Sequence, residues 1–361
     1  MRKSSLILFL LFVIPLSACR ETSGEPMSTA VEPITFELTK TPIPTSPVIT
    51  RTQSTPVIKQ SPMPTSTSSS QHVTLMAVGD IMLGRSIADL ILNEGYQAPF
   101  AFTADTLSSA DVTIGNLECP ISNRGKAAQK NYLFRAPLAA AKSLSYAGFD
   151  ILSLSNNHIL DYGQEGLTDT ITALESENIP VVGAGLDANQ AYAPQFIEHN
   201  GLKLAFLSYV DVPTTDFDYL SWEAGDERPG IAWAHADRVQ EGVQFAKEEA
   251  DIVIVLLHNG YEFWQKVSDR QQEIAKLAID SGASLVIGSH PHVLQRIEAY
   301  KDGLIAYSMG NFVFDNFLFP PNYSAILSVE LSPEGVESYE LIQVVVQLNG
   351  VPQIMPYTIK E

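Results

Sequence analysis

Disulfides, membrane-crossing runs and positive charge are what this chain has least of. Only Cys19 and Cys119 occur among 361 residues. If Cys19 is consumed by lipid attachment, Cys119 has no partner and disulfides do not hold the fold together. After the apolar run Leu6 to Leu16, itself too short to span as a stable helix, no stretch is long and apolar enough to cross a bilayer. Lys and Arg number 22 against 41 Asp and Glu, a net charge of −19. That field repels polyanions and argues against non-specific nucleic-acid binding. An anionic substrate therefore has to be attracted locally, by a metal or a few basic side chains. No clear acidic pair of the kind that flanks a glycosidic bond is evident, which speaks against a glycan hydrolase.

What is present begins with an address label. Arg2 and Lys3 precede the apolar run, and Leu16-Ser17-Ala18-Cys19 closes it. Small residues before a cysteine resemble a bacterial lipobox, in which Cys19 carries lipid and becomes the mature N-terminus. The alternative is an ordinary signal peptide cut near Ala18. Either way the protein is expected outside the cytoplasm, as a membrane-anchored lipoprotein or in secreted form. Losing Arg2 and Lys3 with residues 1–19 removes two positive charges and leaves −21. Residues 20–71 are rich in Thr, Ser and Pro, as in Thr41-Pro42-Ile43-Pro44-Thr45-Ser46-Pro47. Such composition buries too little apolar area to offset chain entropy, so a disordered linker is expected. At about 3 Å per residue of extended chain, it reaches on the order of 100 Å.

Residues 72–361 are long enough for one large α/β domain. Strand, loop and helix patterns alternate through most of it. Strands are predicted over Val73 to Val78, Asp111 to Gly115, Ile151 to Leu154, Pro180 to Gly183, Leu202 to Tyr209 and Asp251 to Leu257. Helices are predicted over Leu138 to Ala147, Gly166 to Glu177, His235 to Glu249 and Asp269 to Ser281. From Leu304 onward, strands and turns take over. The pattern predicts a four-layer α-β-β-α sandwich, two sheets with helices outside.

Three apolar runs deliver histidines at their ends. Ile252 to Leu257 leads into His258, Leu285 to Ser289 delivers His290 and His292, and Ile151 to Leu154 leads to Asn156, Asn157 and His158. Ligands gather beyond the carboxyl ends of strands in open α/β sheets. Repeated imidazoles there point to a divalent cation. Neutral imidazole suits Zn, Mn or Fe, whereas Mg and Ca prefer oxygen.

Six ordered motifs carry a resemblance. They are Val78-Gly79-Asp80-Ile81-Met82-Leu83-Gly84, Gly115-Asn116-Leu117-Glu118, Ser155-Asn156-Asn157-His158-Ile159-Leu160-Asp161-Tyr162-Gly163, His258-Asn259-Gly260-Tyr261-Glu262, Gly288-Ser289-His290-Pro291-His292-Val293-Leu294-Gln295 and Tyr307-Ser308-Met309-Gly310-Asn311-Phe312-Val313-Phe314-Asp315. Over Val73 to Asn316 the chain resembles the CapA family, linked to poly-γ-glutamate capsule synthesis and itself similar to calcineurin-like metallophosphoesterases. The resemblance implies a metallophosphoesterase-like fold. It also implies metal ligation by Asp80, Glu118, Asn157, His258, His290 and His292. Asp80 also suits a helix N-cap, and Asn116 competes with Glu118. Met82 stands where the phosphoesterases usually have a histidine, so one metal position is poorer in ligands or absent. Asn259 replaces the tryptophan common after the strand-end histidine.

By the same resemblance His158 is a general acid, with Asp161 fixing its tautomer. Arg135 is a candidate anion clamp, with a plain surface ion pair as the alternative. Asn156, Glu262 and Asn311 are expected at the substrate or just behind the ligands. Phe312, Phe314, Phe317 and Phe319 suit core or a lid. Two functions stay open. One is metal-assisted hydrolysis of a phosphoester or a γ-glutamyl amide. The other is a non-catalytic, metal-stabilised subunit that binds poly-γ-glutamate, another anionic ligand or a membrane synthase.

Overall fold

Strands covered on both faces read as unbroken apolar runs, and Ile252 to Leu257 is such a run. The computed structural model describes residues 71–215, 217–315 and 319–356. The expected signal segment with Cys19, the linker up to residue 70, and Phe317 lie outside them. In chain order the strands are β1 (Val73–Ile81), β2 (Val112–Leu117), β3 (Ile151–Ser153), β4 (Val181–Val182), β5 (Ala184–Gly185) and β6 (Gln195–His199). Then come β7 (Leu202–Asp211), β8 (Gly230–Ile231), β9 (Ile252–Asn259), β10 (Leu285–Ser289) and β11 (Ile297–Tyr300). β12 (Gly303–Ala306), β13 (Asn311–Val313), β14 (Tyr323–Ser332), β15 (Gly335–Val346) and β16 (Pro352–Ile354) complete the set.

One sheet runs β16-β15-β14-β1-β2-β3-β4, with β13 pairing to β1, and the other runs β11-β12-β10-β9-β7-β6. β5 and β8 form a separate two-stranded ribbon. β1 to β4 are mutually parallel, as are β7, β9, β10 and β12.

Side-chain alternation sets the layering. Leu75 and Ala77 of β1 pack with Phe206, Ile254 and Ile287 of the second sheet in one shared apolar cluster. Their neighbours Met76 and Val78 face the other way, onto a cluster with Ile91, Leu144 and Leu174. These come from helices Arg85–Glu94, Ala140–Tyr146 and Gly163–Ser176. Leu207, Val255 and Val286 turn outward onto Val239, Val243 and Ile274, from helices Ala236–Glu249 and Asp269–Asp280. The second of these starts with a capping box, Ser268 and Gln271 satisfying each other's backbone amides. The fold is therefore mixed α/β, with two facing sheets and helices packed against them.

The expected strands and helices are present, with shifted ends. Asp80 and His258 lie inside β1 and β9 rather than just beyond them. Tertiary pairing extends those strands: Val210 pairs with His258 and Asp80 with Asn116. β6 and β11 have no counterpart among the expected strands. Both are edge strands with mixed polar sequence and half-exposed residues, so apolar periodicity does not reveal them. Phe312 and Phe314 are core, whereas Phe319 is exposed.

Close approach fixes the start of the site. The amide of Asp80 donates to Gly310 O at 2.9 Å, and a Cβ on Gly79 would lie 1.9 Å from that same oxygen. Gly79→Ala is accordingly expected to lower stability by about 1–3 kcal/mol, the usual effect of overpacking. Urea unfolding checks this through a lower midpoint at an unchanged m-value.

Candidate metal centre

The ends of parallel strands in both sheets converge on one buried cluster. β1 contributes Asp80, the end of β2 leads to Glu118, and the turn after β3 carries Asn156, Asn157 and His158. β9 contributes His258, and the turn after β10 carries His290 and His292. Asp80, Glu118 and Asn156 are fully buried, and the other five are nearly so. His290 and His292 sit at φ 94° and 57°, on either side of Pro291. Non-glycine residues held there cost roughly 1–3 kcal/mol each, strain that the surrounding structure has to offset.

Asp80 is the hub of the hydrogen bonding. Its Oδ1 accepts from Asn116 Nδ2 at 2.8 Å, and its Oδ2 from the His290 amide at 3.2 Å. His292 Nδ1 lies 3.2 Å from Oδ2 and 2.9 Å from Asn311 Oδ1. His258 is held from both sides, Nε2 at 2.8 Å from Asn157 Oδ1 and Nδ1 at 2.9 Å from Ser289 Oγ.

Glu118 differs from all of these. Neither of its carboxylate oxygens has a hydrogen-bond partner, and neither does His290 Nδ1. Around Glu118 Oε1 stand His258 Nε2 at 3.7 Å, His158 Nε2 at 4.0 Å and His292 Nε2 at 4.0 Å. An unpaired buried carboxylate is expensive by several kcal/mol, and either a proton or a bound cation relieves it. Two groups of donors share this residue: Glu118 with His258 and His290, and Glu118 with Asp80 and His292. In each group the donor atoms lie within 4.8 Å of one another. The mixed imidazole and carboxylate set fits a borderline divalent ion such as Mn, Zn or Fe. Asn116 does not compete with Glu118, because its amide oxygen accepts from Asn156 Nδ2 at 3.1 Å.

Electrostatics separates the members of the cluster. Burial, reinforced by the charges of Asp80 and Glu262, raises the Glu118 carboxyl well above its usual range. Burial also pushes Asp80 up, but the hydrogen bond and charge of His292 outweigh it and the net shift is down. His292 is the mirror case: burial lowers its proton affinity, Asp80 more than restores it, and the net shift is up. Burial lowers His258 to about 3 and His158 to about 4, in each case against the pull of a nearby aspartate. His290 falls well below its ordinary value, through burial and then the neighbouring imidazoles. Neutral His258 and His290 are thus ready to donate lone pairs.

His158 stands beside the cluster with its own support. Nδ1 lies 2.8 Å from Asp161 Oδ2, and the Phe134 ring stacks on the imidazole with centroids 3.9 Å apart. Asp161 Oδ2 also accepts the Phe134 amide at 2.6 Å, and its Oδ1 lies 2.7 Å from Lys130 Nζ.

Other expected site residues have different surroundings. Asn156 is fully buried and its side chain is used within the protein. Its Oδ1 accepts the His158 and Ile159 amides, and its Nδ2 reaches Asn116 and Leu117. It shapes the turn instead of facing substrate. Asn311, also fully buried, holds His292 through Oδ1 and the 321 carbonyl through Nδ2. Arg135 is exposed, with its guanidinium 4.2 Å from the Tyr162 ring centroid. Glu262 is exposed yet near enough for its charge to act on Glu118 and His292. Met82 is core, its sulfur 3.1 Å from the Gly84 amide. Asn259 is buried in β9. Lys130, Phe134 and Ser289 are missing from the expected set. Lys130 lies in a loop without periodic pattern, and only the need of Asp161 for a cation hinted at such a partner.

With this geometry in view, similarity to known proteins is informative. The family model described as bacterial capsule synthesis protein PGA_cap matches residues 74–316. Capsule biosynthesis protein CapA of Bacillus anthracis is 33% identical over 291 residues, spanning 78% of this chain and 69% of that protein. PGA biosynthesis protein CapA of Bacillus subtilis is 33% identical over 267 residues, 73% of this chain and 69% of that one. A probable polyglutamine synthesis accessory protein of Mycobacterium tuberculosis is 27% identical over 285 residues, 67% of this chain and 74% of its own.

Two outcomes follow from the cluster. Asn311→Ala, which frees His292 Nδ1 from its amide partner, is expected to weaken Mn or Zn binding about 10- to 100-fold, the usual effect of removing such an orienting group; titration calorimetry measures it. The second concerns pH. Below the ordinary histidine value of 6.5, the unfolded chain takes up protons that folded His258 and His158 refuse down to about 3 and about 4. Stability contributed by these neutral rings is therefore complete above 6.5 and falls as pH drops toward 4. Thermal melts of chelator-treated protein across pH 7.5 to 4.5 should show that fall, and a flat profile would refute it.

Proposed function

The chain belongs to the bacterial capsule synthesis protein family, and on that premise we propose that it acts in poly-γ-glutamate capsule synthesis or export through a cation-dependent, hydrolase-like site. The layering of helices, two sheets and helices supports a reading as a metallophosphoesterase-like four-layer sandwich. The observation that carries the site assignment is Glu118: a fully buried carboxylate with no hydrogen-bond partner among imidazoles. Asp80, Glu118, Asn157, His258, His290 and His292 would hold the cation. Bound there, a divalent ion supplies Lewis-acid polarisation of a phosphoester or γ-glutamyl amide.

The protein's own residues do the rest. Asp80 fixes His292 and the turn at His290, so the imidazoles do not have to be ordered when ligand arrives. Asp161 accepts from His158 Nδ1, which keeps Nε2 directed toward Glu118. In that orientation neutral His158 presents a bare Nε2 that can take the proton released by an attacking water and pass it to a departing oxygen or nitrogen. Phe134, stacked on the ring, excludes water from one face. The strong negative charge of the chain agrees with a local cation as the means of attracting an anionic polymer. Anchoring by lipid on Cys19, outside the cytoplasm and beside membrane synthase subunits, completes the proposal.

Full-length protein, assayed for bound metals and for turnover of phosphodiesters and γ-glutamyl peptides, tests this reading. Glu118→Gln should lose the metal. His158→Ala should keep it while turnover falls by about 10²- to 10⁴-fold, the usual contribution of a positioned acid. A metal-loaded wild type that turns over neither substrate class would reject hydrolysis and favour a binding subunit.

A further inference from the structure

Behind His158, against the turn that carries Asn157, lies a buried ammonium group. The Lys130 side chain is 4% exposed, and its Nζ is 2.7 Å from Asp161 Oδ1. The opposite carboxylate oxygen, Oδ2, is the one that meets His158 Nδ1 and the Phe134 amide. Nζ also donates to the Asn157 carbonyl and lies 3.2 Å from His158 Nδ1. Rings of Tyr219 and Trp222 stand 5.2 Å from it, so the charge is enclosed by aromatic faces as well as by the carboxylate. The loop that carries Lys130 is itself tied down, since the Ala128 amide donates to Asp161 O at 2.8 Å. The Cβ of any residue replacing Gly125 would lie 2.0 Å from Tyr162 O, so this loop and the His158 turn are in direct contact.

We propose that Lys130 is a positioning residue for His158: its ammonium holds Asp161 in the orientation that receives Nδ1–H, so that Nε2 is presented to the cluster. The proposal rests on the reading of His158 as the proton-carrying group. A carboxylate rotates about its last side-chain bond, and a single imidazole contact does not determine which oxygen faces which partner. Three fixed contacts do. Lys130 on Oδ1 and the Phe134 amide with His158 on Oδ2 leave Asp161 one arrangement. Lys130 is a donor only, so at 3.2 Å from Nδ1 it competes for that nitrogen unless Asp161 takes both the ammonium and the Nδ1–H. A neutral side chain at position 130 removes the hold on Oδ1 and frees the imidazole to carry its proton on Nε2 instead.

The test reads the tautomer directly and needs no turnover. In chelator-treated full-length protein at pH 7, ¹⁵N-edited NMR of the histidine rings is expected to show His158 with Nδ1 protonated and Nε2 bare. Lys130→Met should lose that dominance, the two nitrogen resonances moving toward each other, and Lys130→Arg should restore it. If Lys130→Met does not fold, Lys130→Gln gives the same reading with the charge removed and a donor kept. Wild-type His158 protonated on Nε2 would overturn the proposal. So would an unchanged Nδ1–H tautomer in a folded neutral variant. Because His158→Ala turnover is measured separately, a protein without hydrolytic activity still yields a decision on Lys130.

Discussion

An unsatisfied buried carboxylate is the constraint on which the rest of this structure depends. Glu118 sits fully enclosed where two sheets meet, with three imidazoles within about 4 Å of one oxygen and no donor completing it. In water such a group is solvated at no structural expense. Here, desolvation and the like charge of Asp80 both raise its proton affinity. The neighbouring features make sense as the frame of a cation site. Left-handed backbone at His290 and His292, and an aspartate already paired with one imidazole, hold several ligands in place before any ion arrives.

Two levels of support surround that frame. Asn116, Asn156, Asn311 and Ser289 are neutral hydrogen-bonding groups that fix the ligands without adding charge. Neutral amides are well suited to the task in an acidic cluster, where further carboxylates would repel one another. On the far side, Lys130 and Asp161 form an ion pair that supports His158, next to the ligand set. This arrangement divides the chemistry: one region binds, while the adjoining one keeps a nitrogen in place. The packing that makes this possible is the shared apolar cluster between the sheets, which brings the ends of β1, β2 and β3 to the same edge as those of β9 and β10.

The strongly patterned parts of this arrangement were legible early. β9 and β10 are apolar runs bounded by polar residues, and the ordered motifs carry Asp80, Glu118, Asn157, His258, His290 and His292, which the fold gathers in one buried cluster. What sequence pattern missed has physical causes. β6 and β11 are edge strands whose half-exposed faces carry too mixed a pattern. Asn156 and Asn311 read equally as substrate-facing or as standing just behind the ligands, because an asparagine near a ligand motif looks the same whether its amide serves backbone or substrate. The stacking of the Arg135 guanidinium over Tyr162 joins two segments 27 residues apart, which no local pattern reveals. Lys130 was invisible because its partner is 31 residues further along the chain, in a segment with a different motif.

Local sequence alone determined which chemical groups are available: carboxylates, amides and imidazoles at the ends of apolar strands, in a chain too acidic to attract anions without help. That follows because side-chain type and period-two burial are properties of neighbouring residues. Tertiary structure alone decided which of those groups lack partners, which oxygen of Asp161 faces His158, and that a distant lysine faces the other. Those outcomes depend on distances between strands and loops far apart in the chain, set by how two sheets pack rather than by any one segment.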